Sequence, residues 1–123
     1  MTHDNVLYDL SKKFALRVIK LYGFLCDENN EYVMSKQIYR CGTSIGANVA
    51  ESMNAQSKAD FISKLSISLK EATETKYWLE LLHDSENISD KQFDSIVNDI
   101  NIIIGTLVTT IKKAKRSDNN ENE

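Results

Sequence analysis

Residues 40–51 of the chain read Arg40-Cys41-Gly42-Thr43-Ser44-Ile45-Gly46-Ala47-Asn48-Val49-Ala50-Glu51. Gly42 and Gly46 are four residues apart, so they lie on one face of any helix that contains them. Each glycine in a helix interior costs about 1 kcal/mol relative to alanine, and close approach of a neighbouring helix is the simplest gain that offsets this cost. No strand precedes the two glycines, and their spacing matches no phosphate-binding loop. The stretch therefore predicts tight helix packing.

This stretch belongs to the second of four predicted helices. Apolar residues recur at three- and four-residue steps from about Asn5 to Cys26, from Ser35 to about Asn54, from Ser57 onwards and from Ser89 onwards. The chain has no proline and only four glycines, which disfavours a sheet with many turns. Because short loops make sequential helices antiparallel, the sequence predicts an all-α fold, an up-down-up-down antiparallel four-helix bundle.

The apolar faces and the helix starts give the details of this bundle. Ser35 is a good N-cap for the second helix. Ser57 to Asp60 resembles a capping box, and Ser89 to Gln92 is a complete one. The predicted core consists of Leu7, Leu10, Phe14, Val18, Leu21, Leu25, Ile38, Cys41, Ile45, Val49, Met53, Phe61, Leu65, Leu69, Ala72, Leu79, Leu82, Phe93, Ile96, Val97, Ile100, Ile103, Ile104, Leu107 and Ile111.

Length and charge predict one domain. A chain of 123 residues can bury enough surface to fold without disulfides or metals. The net charge of −3 is not the strongly basic field that attracts nucleic acid over long distances. We predict a bundle domain over residues 1–116 and a disordered acidic tail over residues 117–123, where three acids and no base occur.

The cysteines and the N-terminus predict a cytoplasmic protein. Cys26 and Cys41 are the only cysteines, and two cysteines without a wider framework are typical of a reducing compartment. Residues 1–5 lack a basic segment followed by an apolar run, so no signal peptide is predicted. No apolar run approaches the roughly 20 residues that a membrane span needs, so no membrane association is predicted.

The second and third helices each carry a second stripe beside the core face. In the second helix the stripe consists of Arg40, Ser44, Asn48 and Glu51. In the third helix it consists of Ile67, Glu71, Trp78 and Leu82, with Glu74 at its edge. Buried carboxylates require partners, and Arg40 and Lys76 are the nearest candidates. The stripes predict a polar network at a helix–helix or subunit interface; a catalytic or ligand-binding carboxylate pair is the alternative.

The residues do not favour metal or nucleophilic chemistry. Di-metal bundles use two Glu-x-x-His motifs, whereas Glu80 to His83 is the only such motif here and the other histidine is His3. Neither cysteine has a histidine placed by the sequence to activate its thiol. We therefore predict no catalytic residues, no metal, no cofactor and no small-molecule substrate.

Two basic clusters have two interpretations. They are Lys13, Arg17 and Lys20 on the first helix, and Lys112, Lys113, Lys115 and Arg116 at the end of the fourth. Cations near a helix C-terminus stabilise the helix dipole, and both clusters fit ordinary solvated faces. Contact with a nucleic-acid backbone is the alternative, although aromatic residues do not alternate with these basic ones.

Three segments together resemble a known family. Residues 40–51, 57–61 and 65–79 are similar to the bacterial four-helix bundle proteins first noticed as reading frames in intervening sequences of 23S ribosomal RNA genes. The similarity extends from about Leu10 to Ile111. It implies a left-handed bundle that assembles as a homopentamer. A related branch, the accessory proteins of diversity-generating retroelements, is a basic pentameric barrel that associates with nucleic acid and a reverse transcriptase; the negative net charge of this chain departs from that branch.

The sequence thus favours a non-catalytic, homo-oligomeric helical bundle, with a pentamer implied by the resemblance, that acts as a binding or scaffold protein. A nucleic-acid-binding accessory protein is the alternative.

Overall fold

Four helices account for nearly all of the chain in a computed structural model, which describes residues 2–121 and the side chains of residues 6–117. The helices are α1 (Thr2–Asn29), α2 (Met34–Ser52), α3 (Lys58–Asp84) and α4 (Asp90–Glu121). Each helix packs on the next, and α4 returns to α1, where the contact is least extensive. The predicted all-α four-helix bundle is confirmed.

The predicted acidic tail lies almost wholly outside the described side chains. Its first residue, Ser117, belongs to α4 and its Oγ accepts a hydrogen bond from Lys58 Nζ at 2.7 Å. Residues 118–123 have no described side chains, so the disorder of the tail stays a prediction.

The bundle interior contains most of the predicted core. Several predicted core residues at the edge of the interior, such as Leu10 and Phe61, are half-buried against it. Met53 was predicted wrongly: its side chain is 42% exposed, because the residue follows the last turn of α2 as its C-cap. The buried apolar residues are Leu7, Phe14, Val18, Leu25, Ile38, Cys41, Ile45, Val49, Leu65, Ala72, Leu79, Leu82, Ile88, Ile96, Ile100, Ile103, Leu107 and Ile111.

The paired glycines of α2 lie against a neighbouring helix, as predicted, and the structure identifies that helix as α1. A Cβ atom built on Gly42 would lie 2.8 Å from Cγ2 of Val18, and one on Gly46 would lie 3.3 Å from Oγ of Ser11. The two helices therefore approach more closely than an alanine at residue 42 would permit without movement of Val18. This close packing offsets the helix-propensity cost of the glycines.

The helix starts agree with two of the three predicted caps. In α4, Ser89 and Gln92 exchange the two hydrogen bonds of a complete capping box, at 2.7 and 3.1 Å. In α3, Ser57 Oγ accepts from the backbone N–H of Asp60 at 3.0 Å. The Asp60 carboxylate, however, accepts from the N–H of Gln56, one residue before the usual position.

The predicted N-cap at Ser35 is wrong. Ser35 lies inside α2 and is buried, and its hydroxyl donates to the carbonyl of Glu31 at 2.9 Å. The Glu31 carboxylate performs the capping instead, because it accepts from the N–H groups of Val33 and Met34 at 3.1 Å and of Ser35 at 2.7 Å. Asn30 has a positive φ of 51° and reverses the chain there, which brings Glu31 below the first turn of α2.

The last helix is apolar beyond its core face. By length and composition alone α4 is able to span a membrane, although no apolar run of that length was predicted from the sequence. Its side chains at Ile96, Ile100, Ile103 and Leu107 are buried inside the bundle, as in the core helix of a helical bundle. Ile102, on the outer side, is 48% exposed.

Candidate functional site

The seam between α2 and α3 holds an ion-pair network, here called the Arg40 network and consisting of Arg40, Glu71, Glu74 and Trp78. Nη1 of Arg40 lies 3.4 Å from Oε2 of Glu71, and Nη2 donates to Oε2 of Glu74. The indole Nε1 of Trp78 donates to the same Glu74 oxygen at 3.1 Å. Because Arg40 is on α2 and its partners are on α3, the network joins the two helices.

The Arg40 network lies at the surface rather than in a pocket. The side chain of Arg40 is 51% exposed and that of Glu71 is 19% exposed. Partial burial of the guanidinium lowers its pKa, but the charge and hydrogen bond of Glu74 outweigh this effect, so that the pKa of Arg40 is raised. The arginine is therefore permanently charged and both carboxylates are occupied by it. Each carboxylate thus has one oxygen facing the guanidinium of Arg40.

The remaining residues of the predicted α2 stripe do not join this network. Ser44 Oγ donates to the carbonyl of Arg40 at 2.6 Å, and Asn48 Nδ2 donates to the carbonyl of Ser44 at 2.9 Å. Glu51 pairs with Lys64 of α3 at 3.2 Å, which makes a second, separate link across the same seam. Among the described side chains Lys76 forms no ion pair with the α3 carboxylates.

The two apolar residues of the predicted α3 stripe differ in burial. Ile67 is 41% exposed, whereas Leu82 is fully buried in the core. A buried hydrogen bond also crosses this seam, since Ser68 Oγ donates to the carbonyl of Ile45 at 2.9 Å. The α2–α3 seam is thus held by two groups of ion pairs at the surface and by a buried hydrogen bond from a serine hydroxyl to a backbone carbonyl.

Cys41, beside the Arg40 network, is held in its protonated thiol form. Cys41 is fully buried in the core. Burial raises the pKa of the Cys41 thiol, against a hydrogen bond with Thr75 that lowers it. The thiol is therefore protonated near neutral pH, and the thiolate is the nucleophilic form.

In the first basic cluster, the arginine takes part in the α1–α4 contact and the two lysines do not. Arg17 Nη1 pairs with Asp99 at 2.6 Å, and its Nη2 donates to Ser95 Oγ at 3.0 Å. This arginine therefore fastens α1 to α4, while Lys13 and Lys20 are exposed. The Arg17–Asp99 pair was not predicted from the sequence, because the two residues are 82 positions apart.

The second basic cluster is exposed and separate from the first. Lys112, Lys113, Lys115 and Arg116 all face solvent on the last described turns of α4. Lys13 borders Ile103, and Lys112 follows nine residues later, a distance of about 14 Å along the helix. The structure does not merge the two clusters into one continuous basic patch.

His83 contributes to the α3–α4 turn. Its Nε2 lies 2.6 Å from Oδ1 of Asp90 and its ring stacks on Phe93, with the ring centroids 4.3 Å apart. The hydrogen bond with Asp90 raises the pKa of His83, aided by the nearby Asp84 carboxylate and opposed by partial burial. Within residues 6–117 no three His, Cys, Asp or Glu side chains are arranged to hold a metal ion.

A groove at one end of the bundle was not predicted from the sequence. It has a volume of about 620 Å³ and lies between the end of α2, the start of α3 and the last turns of α4. Met53, Ala55, Phe61 and Ala114 provide apolar lining, and Lys113 lies at the rim. The residues that line the groove are spread over more than 60 positions of the sequence, so no local sequence pattern predicts the groove.

These observations define a class of protein: an all-α four-helix bundle in which surface ion pairs join α1 to α4 and α2 to α3. The chain belongs to the 23S rRNA-intervening sequence protein family, whose model matches residues 3–109. The resemblance seen in the sequence is confirmed.

A closely similar structure has been solved. It is the crystal structure, at 1.70 Å resolution, of a protein with unknown function from the S23 ribosomal protein family of Bacteroides thetaiotaomicron VPI-5482. It matches with a TM-score of 0.88 and 56% sequence identity, over 89% of this chain and 98% of that chain. No curated protein matches this chain.

Proposed function

We propose that this protein is a non-catalytic, homo-oligomeric helical bundle that acts as a binding or scaffold module in the cytoplasm. The observation that carries the proposal is a set of large apolar side chains on the outer helix faces. Leu16 and Tyr77 are each 54% exposed, and Ile19, Ile67 and Ile102 are between 41% and 48% exposed. Single exposed apolar residues are ordinary, but several on the outer faces of three helices of a small bundle favour association.

The non-catalytic part of the proposal follows from how the candidate reactive groups are used. Glu71 and Glu74 are paired with Arg40. Glu51 is paired with Lys64, and burial raises the pKa of the Cys41 thiol. Each of these groups therefore has a structural role that its geometry already explains.

The proposed number of subunits is five, which rests on the family resemblance. Native mass spectrometry and light scattering at micromolar concentration test both the assembly and its number. We expect one species at five times the 14.0 kDa mass of the chain. A monomer across the micromolar range contradicts the proposal, and another discrete oligomer contradicts only the number five.

Nucleic-acid binding is a second candidate because the basic end of α4 is exposed. Lys112, Lys113, Lys115 and Arg116 all face solvent, whereas Arg17 of the other cluster is engaged with Asp99. In a filter-binding assay at low salt, replacing these four residues by glutamine should lower retention of RNA or DNA. As a control, two exposed lysines elsewhere, Lys36 and Lys91, are replaced by glutamine and compared with Lys112 and Lys113 replaced as a pair. Absence of retention, or retention that does not fall with added salt, excludes this candidate.

A further inference from the structure

The groove between the end of α2, the start of α3 and the last turns of α4, here called the end groove, has an apolar wall. Met53 is 42% exposed at the C-cap of α2, and Ala55, Phe61 and Ala114 are half-buried beside it. The volume of about 620 Å³ lies within the range of roughly 300–1,000 Å³ that small-molecule sites have. Because methionine is flexible and adapts to irregular shapes, the wall can accommodate the apolar part of a small molecule.

The charged residues of the end groove are basic. Among the described residues that line it, two are lysines, Lys58 and Lys113, and none is an acid. Lys58 Nζ donates to Ser117 Oγ at 2.7 Å, which holds that ammonium group at the groove. Lys113 is exposed and forms no hydrogen bond or ion pair with a described residue. A cleft lined by one sign of charge concentrates ions of the opposite sign, so the groove favours an anion.

The described acids of the same segments belong to a different surface. Glu51 forms an ion pair across the α2–α3 seam, and the Asp60 carboxylate accepts a hydrogen bond from a backbone N–H of the preceding loop. Both acids line a separate depression between α2 and α3. The helix α1, which contains Asp9, contributes no described residue to the lining of the end groove. The charge of Lys113 is therefore not cancelled by an acid in that lining.

The hydroxyl groups of the lining are already engaged. Ser52 and Thr110 each donate to a backbone carbonyl of their own helix, at 2.6 and 2.7 Å. Ser57 Oγ accepts from a backbone N–H at the start of α3 at 3.0 Å. The ammonium group of Lys113 is therefore the polar group best placed to receive a ligand. The described lining contains no histidine, cysteine or carboxylate, so we expect a ligand to be bound there without chemical conversion.

We propose that the end groove binds a small amphipathic anion, a carboxylate that carries an apolar chain or ring. The apolar part lies on Met53, Phe61 and Ala114, and the carboxylate faces the ammonium group of Lys113. Burial of apolar area supplies most of the affinity, whereas the ion pair at the exposed rim adds less and selects the sign of the ligand charge. The groove is built from one chain, so this inference goes beyond the proposed assembly and does not depend on it.

Titration with fatty acids tests the class of ligand on the full-length protein with isotope-labelled alanine methyl groups. Octanoate and decanoate should shift the methyl resonances of Ala55 and Ala114, and should leave that of Ala47, exposed on α2 outside the groove, in place. Decanoate should bind roughly 4- to 16-fold more tightly than octanoate, because each of its two extra methylenes contributes a factor of up to about four when buried. Decylammonium has a chain of the same length and the opposite charge, and should bind at least about tenfold more weakly than decanoate.

Two variants with matched controls locate the bound anion. Lys113→Gln should weaken decanoate binding about three- to fivefold, by a factor that falls with added salt. Lys112→Gln, one residue earlier and outside the lining, should change it by less than about twofold. Ala114→Phe fills the groove and should abolish the shift of the Ala55 methyl resonance. Ala59→Phe, at an exposed alanine outside the lining, should leave that shift unchanged.

Several results overturn the inference. One is the absence of any shift at Ala55 and Ala114 up to about 1 mM decanoate. Equal binding of decanoate and decylammonium is another, because it excludes selection for an anion. Binding that Lys113→Gln and Lys112→Gln weaken equally places the anion elsewhere. Circular dichroism shows whether each variant retains its helices; if Ala114→Phe does not, the lysine pair and the ligand series still decide.

Two other occupants of the end groove give distinct results. If Ala114→Phe dissociates a wild-type oligomer in native mass spectrometry, the groove is a contact between subunits and the inference is overturned. Residues 118–123 follow Ser117 and contain three acids. If decanoate binds only after Asp118→Asn, Glu121→Gln and Glu123→Gln are combined, that segment fills the groove instead. A monomeric wild type that binds decanoate as described contradicts the proposed assembly and leaves this inference standing.

Discussion

Replacement of Gly42 by alanine tests the close packing on which the fold depends. The added Cβ would lie 2.8 Å from Cγ2 and 3.0 Å from Cγ1 of Val18. Val18 is fully buried on α1. A valine in a helix strongly prefers one χ1 rotamer, so its methyl groups cannot rotate away and the two helices must move apart.

Two opposing effects set the size of the change. Alanine is favoured over glycine in a helix interior by about 1 kcal/mol. Insertion of a methyl group into a packed interior costs about 1–3 kcal/mol, and the rigid Val18 side chain places this site towards the upper end of that range. We therefore expect Gly42→Ala to lower the free energy of unfolding by about 1–2 kcal/mol.

Urea denaturation followed by the fluorescence of Trp78, the only tryptophan, measures this change. All variants are compared at one subunit concentration, because assembly contributes to stability. Gly105→Ala is the matched control, since its Cβ would meet nothing within 4 Å, and it should raise stability by about 0.5–1 kcal/mol. The double variant with Val18→Ala should be less destabilised than the sum of the two single changes.

The reasoning is refuted if Gly42→Ala is as stable as the wild type or more stable. That result would mean that α1 and α2 separate without cost, and that the glycine pair has some other origin. A loss of stability equal in Gly42→Ala and Gly105→Ala would also refute it, because of these two positions only residue 42 faces a neighbouring side chain.

Three further predictions concern the caps, the seam and the turn. Glu31→Ala removes the carboxylate that caps α2 and should cost about 1–2 kcal/mol in urea denaturation, whereas Glu28→Ala, with no described hydrogen bond, should change stability by less than about 0.5 kcal/mol. A double-mutant cycle of Arg40→Ala and Glu74→Gln should give a coupling of about 0.5–1 kcal/mol that falls with added salt; a salt-independent value contradicts a surface ion pair. His83→Gln should lower the melting temperature most at pH values below the ordinary histidine pKa of about 6.5. The pKa of His83 is raised in the folded state, so protonation of His83 stabilises the fold at low pH. This stabilisation is lost as the pH rises through the folded-state pKa of His83. Melting temperatures that differ by the same amount from pH 5 to pH 9 would contradict the role of the His83–Asp90 bond.

The helices were predictable because their signals are local. The three- and four-residue steps of apolar residues identify one buried face per helix, and the cap signals at Ser57 and Ser89 each lie within four residues of sequence. The Gly42 and Gly46 pair predicted a close neighbour but not which one, since periodicity specifies a face and not its partner. Only the packed bundle identifies that partner as Val18 and Ser11 of α1.

The cap of α2 shows where local signals fail. Ser35 has the preferred residue type for an N-cap, yet Glu31, four residues earlier, binds the free N–H groups. The competing cause is the left-handed backbone of Asn30, which the sequence did not reveal because asparagine adopts this conformation only in some contexts. The Arg17–Asp99 pair was unpredictable for a different reason. The two residues are 82 positions apart, and their contact depends on the register of α1 against α4.

The location of the Arg40 network changes which surface remains for association. From the sequence, the stripes of the second and third helices were equally compatible with contact inside the chain and contact between subunits. In the folded chain Arg40, Glu71 and Glu74 satisfy one another across the α2–α3 seam, so their charges need no second subunit. The apolar side chains that are left exposed on the outer helix faces include Leu16 and Ile19 on α1, Ile67 and Tyr77 on α3, and Ile102 on α4. Burial of apolar area, unlike pairing of exposed charges, supplies substantial association free energy, so an assembly of this bundle should be held by these exposed apolar side chains rather than by the network.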